Sequence, residues 1–157
     1  MFIKKVMKRI LIVFATVLFL VAFWYGESRR FYCLDNGRCI TVWKTFNNVC
    51  FIVPGKYYGV VRPSNNYIES SNTNLLTIFF CEKLPRSLIV QCEQGVKINN
   101  DKTDVFTFYR YETDTSKFKN LLYSPSAKKR SDMRPGSGLI DINIRENYAL
   151  DKVGKEL

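Results

Sequence analysis

Hydrophobic positions run unbroken over residues 10–25, ILIVFATVLFLVAFWY, with Thr16 the one polar side chain among the sixteen. Lys4, Lys5, Lys8 and Arg9 precede the run, and Trp24 and Tyr25 close it. A basic flank followed by an apolar stretch is read by the secretion machinery before anything folds, and it predicts that the rest of the chain lies outside the cytoplasm. The run is a little short of the roughly 20 residues that span a bilayer. Lys8 and Arg9 can snorkel, which brings Val6 and Met7 into the hydrocarbon, and the rings of Trp24 and Tyr25 suit the membrane-water interface. A signal cleavage site needs small residues three before and one before the cut, and Phe23, Trp24 and Tyr25 crowd those positions. The pattern therefore predicts a retained signal-anchor over residues 1–28, crossing the membrane through residues 10–25. Its amino terminus stays in the cytoplasm, because the four basic residues before the run outweigh Arg29 and Arg30, offset by Glu27, after it. The alternative is a protein secreted after cleavage near Gly26 and Ser28.

From residue 31 the apolar runs are short and separated by turn residues. Residues 31–34 and 38–46 flank Asp35-Asn36-Gly37, residues 49–53 follow Asn47-Asn48, and residues 57–61 follow Pro54-Gly55; all read as strands. Residues 75–81 and 87–92 are apolar enough to be central strands, and residues 104–111 alternate. Residues 64–74, polar around Tyr67 and Ile68, read as a loop, and so do residues 95–102. Over residues 139–145, Ile140, Ile142 and Ile144 fall on one face and Asp141, Asn143 and Arg145 on the other, the clearest strand in the chain. One short helix is predicted where Asp114, Thr115 or Ser116 can cap a stretch with Phe118, Leu121 and Leu122 on one face, ended by Ser124-Pro125. Residues 146–157 suggest a weak terminal helix through Leu150 and Val153, or a frayed end.

The expected fold is mainly β, of the α+β class: the N-terminal transmembrane helix, then one small antiparallel β-rich extracytoplasmic domain over residues 29–157 with one or two short helices. A meander, a small sandwich or a half-open barrel fits the spacing. The 127 residues from Phe31 onward suffice for one core and not for two.

Five cysteines, at 33, 39, 50, 81 and 92, all fall outside the apolar run. In an oxidising compartment that count allows up to two bridges and a leftover thiol, or a bridge to another chain. If Asp35-Asn36-Gly37 forms a three-residue hairpin loop closed by a left-handed glycine, Leu34 faces Arg38 and Cys33 faces Cys39 within disulfide range. A two-residue turn at Asn36-Gly37 would instead set Cys33 opposite Ile40. No C-x-x-C pair and no histidine occur in the chain, so no metal site or cofactor is expected.

The net charge of +10 divides into six basic and one acidic residue over residues 1–30, against 18 basic and 13 acidic over the rest. Half of the excess thus belongs to the anchor, and the outer domain carries no recognised basic-aromatic nucleic-acid motif. Its mild positive bias favours a protein partner or an anionic envelope component. The lack of any N-x-S/T sequon fits a bacterial inner membrane and periplasm more easily than a eukaryotic secretory route.

The absence of histidine removes Ser-His-Asp and Cys-His nucleophile pairs. Ser126-Ala127-Lys128-Lys129 matches S-x-x-K, but it sits in a polar loop beside a proline without the further motifs that chemistry needs. Glu69, Glu82, Glu93, Asp104 and Glu112 offer carboxylates for a glycosidase-like pair, and nothing in their spacing selects two of them. No catalytic residue is assigned. The surface candidates are the basic loop with Lys128, Lys129, Arg130 and Arg134, whose charges and loop N-H groups suit an anion, and Tyr67 within the Asn-Ser-rich segment, a composition typical of adaptable binding loops. Trp43 shares a strand face with Thr41 and Thr45, either as an exposed ring or as the cap of a second core layer. The reading that follows is a membrane-anchored extracytoplasmic binding domain, such as an envelope accessory or an inhibitor or immunity-type protein. A small envelope-polymer hydrolase or carbohydrate-binding protein using carboxylates is the alternative.

Overall fold

A computed structural model describes residues 2–72, 74–92, 95–99 and 107–157. Helix α1, Phe2–Glu27, contains the 20-residue segment Val6–Tyr25 with mean hydropathy 2.3, none of it buried against the rest of the protein. It is long and apolar enough to cross a membrane. The strands are β1 Arg29–Cys33, β2 Cys39–Lys44, β3 Val49–Pro54, β4 Tyr67–Ser71, β5 Leu75–Cys81, β6 Leu84–Cys92, β7 Lys97–Asn99, β8 Thr107–Arg110, β9 Gly138–Asn143 and β10 Tyr148–Leu150. A 3-10 turn at Tyr111–Thr113 leads into α2, Thr115–Leu122.

The strands form two five-stranded sheets, β1-β2-β3-β4-β7 and β10-β9-β5-β6-β8. Pairing is antiparallel throughout except between β6 and β8, which run parallel. One face of each sheet contributes to a shared core. Val42, Ile52, Ile68 and Ile98 form a rung across the first sheet, while Ile140, Ile78 and Val90 form one across the second. This is the period-2 alternation of half-buried strands; Ile140, Ile142 and Ile144 all face inward, as the sequence predicts.

The outer face of each sheet carries a second, smaller core. On the second sheet, Phe79, Cys81, Ile89 and Leu139 pack under α2 through Phe118 and Leu122. Asp114 caps that helix by accepting the Lys117 N-H at 3.0 Å. On the first sheet, Trp43, Phe51, Val53 and Tyr67 are covered by the loop over residues 55–66.

The hairpin between β1 and β2 takes the three-residue form. Leu34 N-H donates to Arg38 O at 2.9 Å, Gly37 sits at φ +78°, and Cys33 pairs with Cys39 and is bonded to it. The remaining thiols, Cys50, Cys81 and Cys92, are free. The bridge closes a short loop, for which chain entropy gives about 2 kcal/mol. Replacing Cys33 and Cys39 together by serine is therefore expected to lower unfolding free energy by about 2 kcal/mol or somewhat less, read as a shifted thermal midpoint. Reductant should reproduce the shift in the wild type and leave the double variant unchanged.

Several segments differ from the sequence reading. Residues 57–61 form no strand: Thr41 donates its hydroxyl to Gly55 O at 2.7 Å and accepts the Tyr57 N-H at 2.8 Å, so the chain folds down over the sheet instead of joining its edge. The polar stretch after Asn66 is no loop, since Tyr67–Ser71 is a central strand between β3 and β7. Ladders on both sides satisfy its backbone, and Ser70, 4% exposed, accepts the Asn74 side-chain N-H at 2.8 Å. Likewise, part of the connection expected over residues 95–102 is β7. At the carboxyl end, Asn147 in the left-handed region turns the chain back as β10 instead of a helix. Asp151 then accepts the N-H groups of Val153 and Lys155 and closes a final turn. Of the strand expected over residues 104–111, the first three lie outside the described residues.

Candidate functional site

Because α2 covers only part of the second sheet's outer face, the rest remains open as a groove of about 790 Å3. Its floor is Thr77, Phe79, Gln91 and Asp141 on β5, β6 and β9, and its walls include Tyr111, Tyr123 and Tyr148. The volume falls within the range of small-molecule and peptide-segment sites.

Thr77 and Asp141 are direct cross-strand partners, so both side chains leave the sheet on the groove side. Thr77 donates to Asp141 Oδ1 at 2.5 Å, and Arg130 reaches down from the basic loop to form an ion pair with the same carboxylate. The pair is open to solvent, with side-chain exposures of 48% for Arg130 and 27% for Asp141. Such a pair adds little to stability, yet it fixes where the loop overhangs the groove. Glu112 accepts the Cys92 N-H at 3.3 Å on another wall. Burial, with Glu112 adding to it, pushes the half-buried Cys92 thiol up, so it is not a ready nucleophile at neutral pH. Burial likewise raises the Tyr123 phenol, which stays protonated and able to donate.

The four cations of the basic loop have separate roles. Arg134 donates through Nε to Asn120 O at 3.2 Å and Tyr123 O at 3.0 Å, capping the last carbonyls of α2. Arg130 belongs to the groove. Lys128 and Lys129 are exposed, but their backbone N-H groups both donate to Asp132 Oδ2 at 3.0 Å, which takes them from any anion. Those two bonds, Lys129's the larger, hold the Asp132 carboxyl below its ordinary value.

Tyr67 and Trp43 lie on the other layer and are not exposed. Tyr67 is buried in β4 with its hydroxyl engaged by Arg62, and it meets Phe51 edge-on at 5.4 Å between centroids. Trp43 caps the second core layer of the first sheet, beneath Tyr57 and the Arg29 guanidinium. Of the carboxylates the sequence offers, Glu112 lines the groove. Glu69 pairs with Arg62 on the first sheet, Glu82 lies against Gly136, and Glu93 and Asp104 lie outside the described residues. The groove's second carboxylate, Asp141, reads in sequence as a water-facing strand residue. The β5-β9 register that sets it opposite Thr77 is what marks it, and sequence pattern does not provide that register.

Among the described residues, no group of three or more His, Cys, Asp or Glu side chains is placed to hold a metal ion. The groove instead offers a hydrogen-bonded charge pair, phenol hydroxyls and ring faces, which suit recognition of a polar chain segment. Comparison with protein-family models, curated proteins and solved structures finds no match to this chain.

Proposed function

We propose that this chain is a membrane-anchored extracytoplasmic binding domain, held in a bacterial inner membrane with its amino terminus in the cytoplasm. The groove takes a segment of a protein partner, in the manner of an envelope accessory or an inhibitor or immunity-type protein. The observation that carries this reading is the groove: Tyr111, Tyr123 and Tyr148 stand around the Thr77, Asp141 and Arg130 strip. Tyrosine and arginine at the centre of a concave surface are what protein-binding hot spots use. The groove also comes close to the end of the sandwich where α1 departs. Its residues Leu75 and Asn143 adjoin Asn74 and Ile144, joined by a 3.3 Å backbone hydrogen bond; Asn72 N-H donates to Asn48 O at 3.2 Å; and Lys44 Nζ donates to Arg145 O at 3.3 Å. An anchor that holds a groove beside the bilayer raises its effective concentration toward a membrane-borne partner.

The presence of Glu112 and Asp141 in one groove with ring faces favours a second reading, an envelope polysaccharide bound or hydrolysed there. Against hydrolysis, the Asp141 carboxylate is engaged by both Arg130 and Thr77, which occupy the lone pairs a base would use. A photoreactive amino acid placed at Tyr148 of the full chain and activated in intact membranes is expected to give a discrete protein adduct. Arg130→Ala or Asp141→Ala should weaken that adduct about tenfold, the loss of a hot-spot contact. A glycan adduct would replace the first reading by the second. Adducts from position 128 or 129 but none from Tyr148 would move the binding site to the basic loop.

A further inference from the structure

We infer that the sandwich does not hang from its anchor on a linker but sits on the bilayer through an apolar collar: Phe46 at the β2-β3 turn and Tyr58, Val60 and Val61 at the tip of the loop over residues 55–66. This rests on the reading of α1 as a retained membrane span.

Only Ser28 separates the end of α1 from the start of β1, and it is tied on both sides. Its N-H donates to Trp24 O at 2.8 Å in the helix, and its carbonyl accepts the Lys44 N-H at 2.8 Å from the sheet. A chain so bonded carries the direction of the helix into the sheet, which a flexible linker would not. The last helical turn then contacts both collar segments. Trp24 stacks on Phe46 with centroids 4.2 Å apart and planes 11° apart, and the Tyr25 hydroxyl donates to Tyr58 O at 2.6 Å. The helix residues expected at the membrane-water interface are thus in direct contact with Phe46 and Tyr58.

These collar residues are among the most exposed large apolar side chains outside α1: Phe46 79%, Tyr58 63%, Val60 76% and Val61 69%. In the described part of the domain, the other exposed large apolar side chains are Phe31, Leu75 and Val153. Phe31 leans on Tyr58 at 5.0 Å, and Leu75 follows the turn that bonds to Asn48. Val153 alone lies toward the opposite end, in the turn whose Lys155 reaches Asp35 at the tip of the β1-β2 hairpin. Large apolar side chains gathered around the exit of a hydrophobic span match the belt that interfacial residues form at the headgroup level. The loop keeps its tip in place through its own bonds. Tyr57 N-H is held at Thr41, and the Tyr57 hydroxyl donates to Val61 O at 2.7 Å, closing the tip on itself. Lys56, exposed beside Tyr58, adds a cation toward anionic headgroups.

The test uses the full chain in nanodiscs of phosphatidylcholine and phosphatidylglycerol doped with a lipid carrying a diazirine near its headgroup, with labelled sites read by tandem mass spectrometry. Label is expected at Trp24 and Tyr25 and also at Phe46, Tyr58, Val60 and Val61, with none at Val153. Changing Phe46, Val60 and Val61 together to serine should abolish label at those positions and leave it on α1. Label on α1 without label at residues 46 and 58–61 would overturn the collar and leave the anchor standing. Absence of lipid label from α1 itself would overturn both.

Discussion

Between pH 9.0 and about 12, the ordinary and the folded-state values of the Cys50 thiol, the protein is expected to lose stability at about 1.4 kcal/mol per pH unit, about 4 kcal/mol in all. Cys50 lies on the inner face of β3 and is wholly buried in the main core. Burial pushes the thiol up to about 12, and neither the nearby Lys44 ammonium nor a hydrogen bond from the Trp43 backbone offsets it. In the unfolded chain the same thiol gives up its proton near 9.0. Above that pH the unfolded state sheds a proton that the folded state keeps, so unfolding is drawn forward as pH rises, until both states are deprotonated above about 12. Below 9.0 both states hold the proton and Cys50 adds no pH dependence. Tyr32, its neighbour on β1, is raised by burial from 10.0 to about 12 and acts in the same direction over the upper part of that window. In detergent, the urea midpoint should therefore stay level to pH 9 and fall steeply beyond it. Cys50→Ala should begin lower, by about 1 kcal/mol for the atoms removed, and fall much less steeply above pH 9, where the raised Cys92 thiol and then Tyr32 act in the same direction. Parallel curves for the two proteins would show that Cys50 does not set the alkaline limit.

The core that produces this effect was legible where strands alternate: Ile140, Ile142 and Ile144 point inward, and Val42 lies on the face opposite Trp43. The continuous apolar runs around Ile52 and Ile78 marked strands without marking their inner side, because both faces are buried, and of the two turns open to Asp35-Asn36-Gly37 the three-residue form is the one that brings Cys33 to Cys39. The outer layers were far less legible. Trp43, open in sequence to an exposed ring or the cap of a second core layer, is that cap, and Tyr67, read as a loop residue, lies buried in a strand beside it, because the loop over residues 55–66 folds back over both. An irregular cover has no period to read. Residues 67–71 were hidden for the opposite reason: a polar strand is stable in mid-sheet when both neighbours take its backbone groups and Ser70 finds a side-chain partner. In the terminal segment, the spacing of Leu150 and Val153 fits a helix as well as a turn, and only the left-handed Asn147 and Gly154 decide for the turn. The groove was half visible. Arg130 stood out as a cation and Asp141 as an outward strand residue, but their meeting depends on how the loop over residues 128–134 returns across β9, a long-range contact that local pattern does not encode.

Arg29→Ala is expected to cost about 3 kcal/mol through lost packing and ring contacts, and to loosen the join between α1 and the sandwich. Arg29 is 4% exposed, and its guanidinium carbon lies 4.1 Å from the Trp43 ring centroid, 4.4 Å from that of Tyr25 and 5.8 Å from that of Tyr57. Burial lowers its pKa from the ordinary value, yet arginine titrates so far above neutrality that the charge remains. The charge is compensated by ring faces and by one bond, Nη1 donating to the Tyr25 hydroxyl at 2.7 Å, which in turn donates to Tyr58 O. Two effects oppose each other on truncation. Removing a buried cation relieves its desolvation cost, whereas emptying a slot between three rings forfeits stacking, van der Waals contact and the orientation of the Tyr25 hydroxyl. The second wins, because a guanidinium is more weakly hydrated than an ammonium and so costs less to bury on aromatic faces. Arg29→Met refills the volume without the charge and should recover part of the loss; Arg29→Lys keeps the charge without the plane and should recover less. The expected signature of the alanine variant is a thermal midpoint in detergent lower by about 10 °C, with faster amide exchange at Ser28 and Lys44, whose hydrogen bonds hold helix to sheet. Unchanged exchange there, with a lowered midpoint, would make Arg29 a core residue of the first sheet alone. Exchange that rises together with loss of lipid contact at Tyr58 would establish it as the residue that fixes the sheets to helix α1.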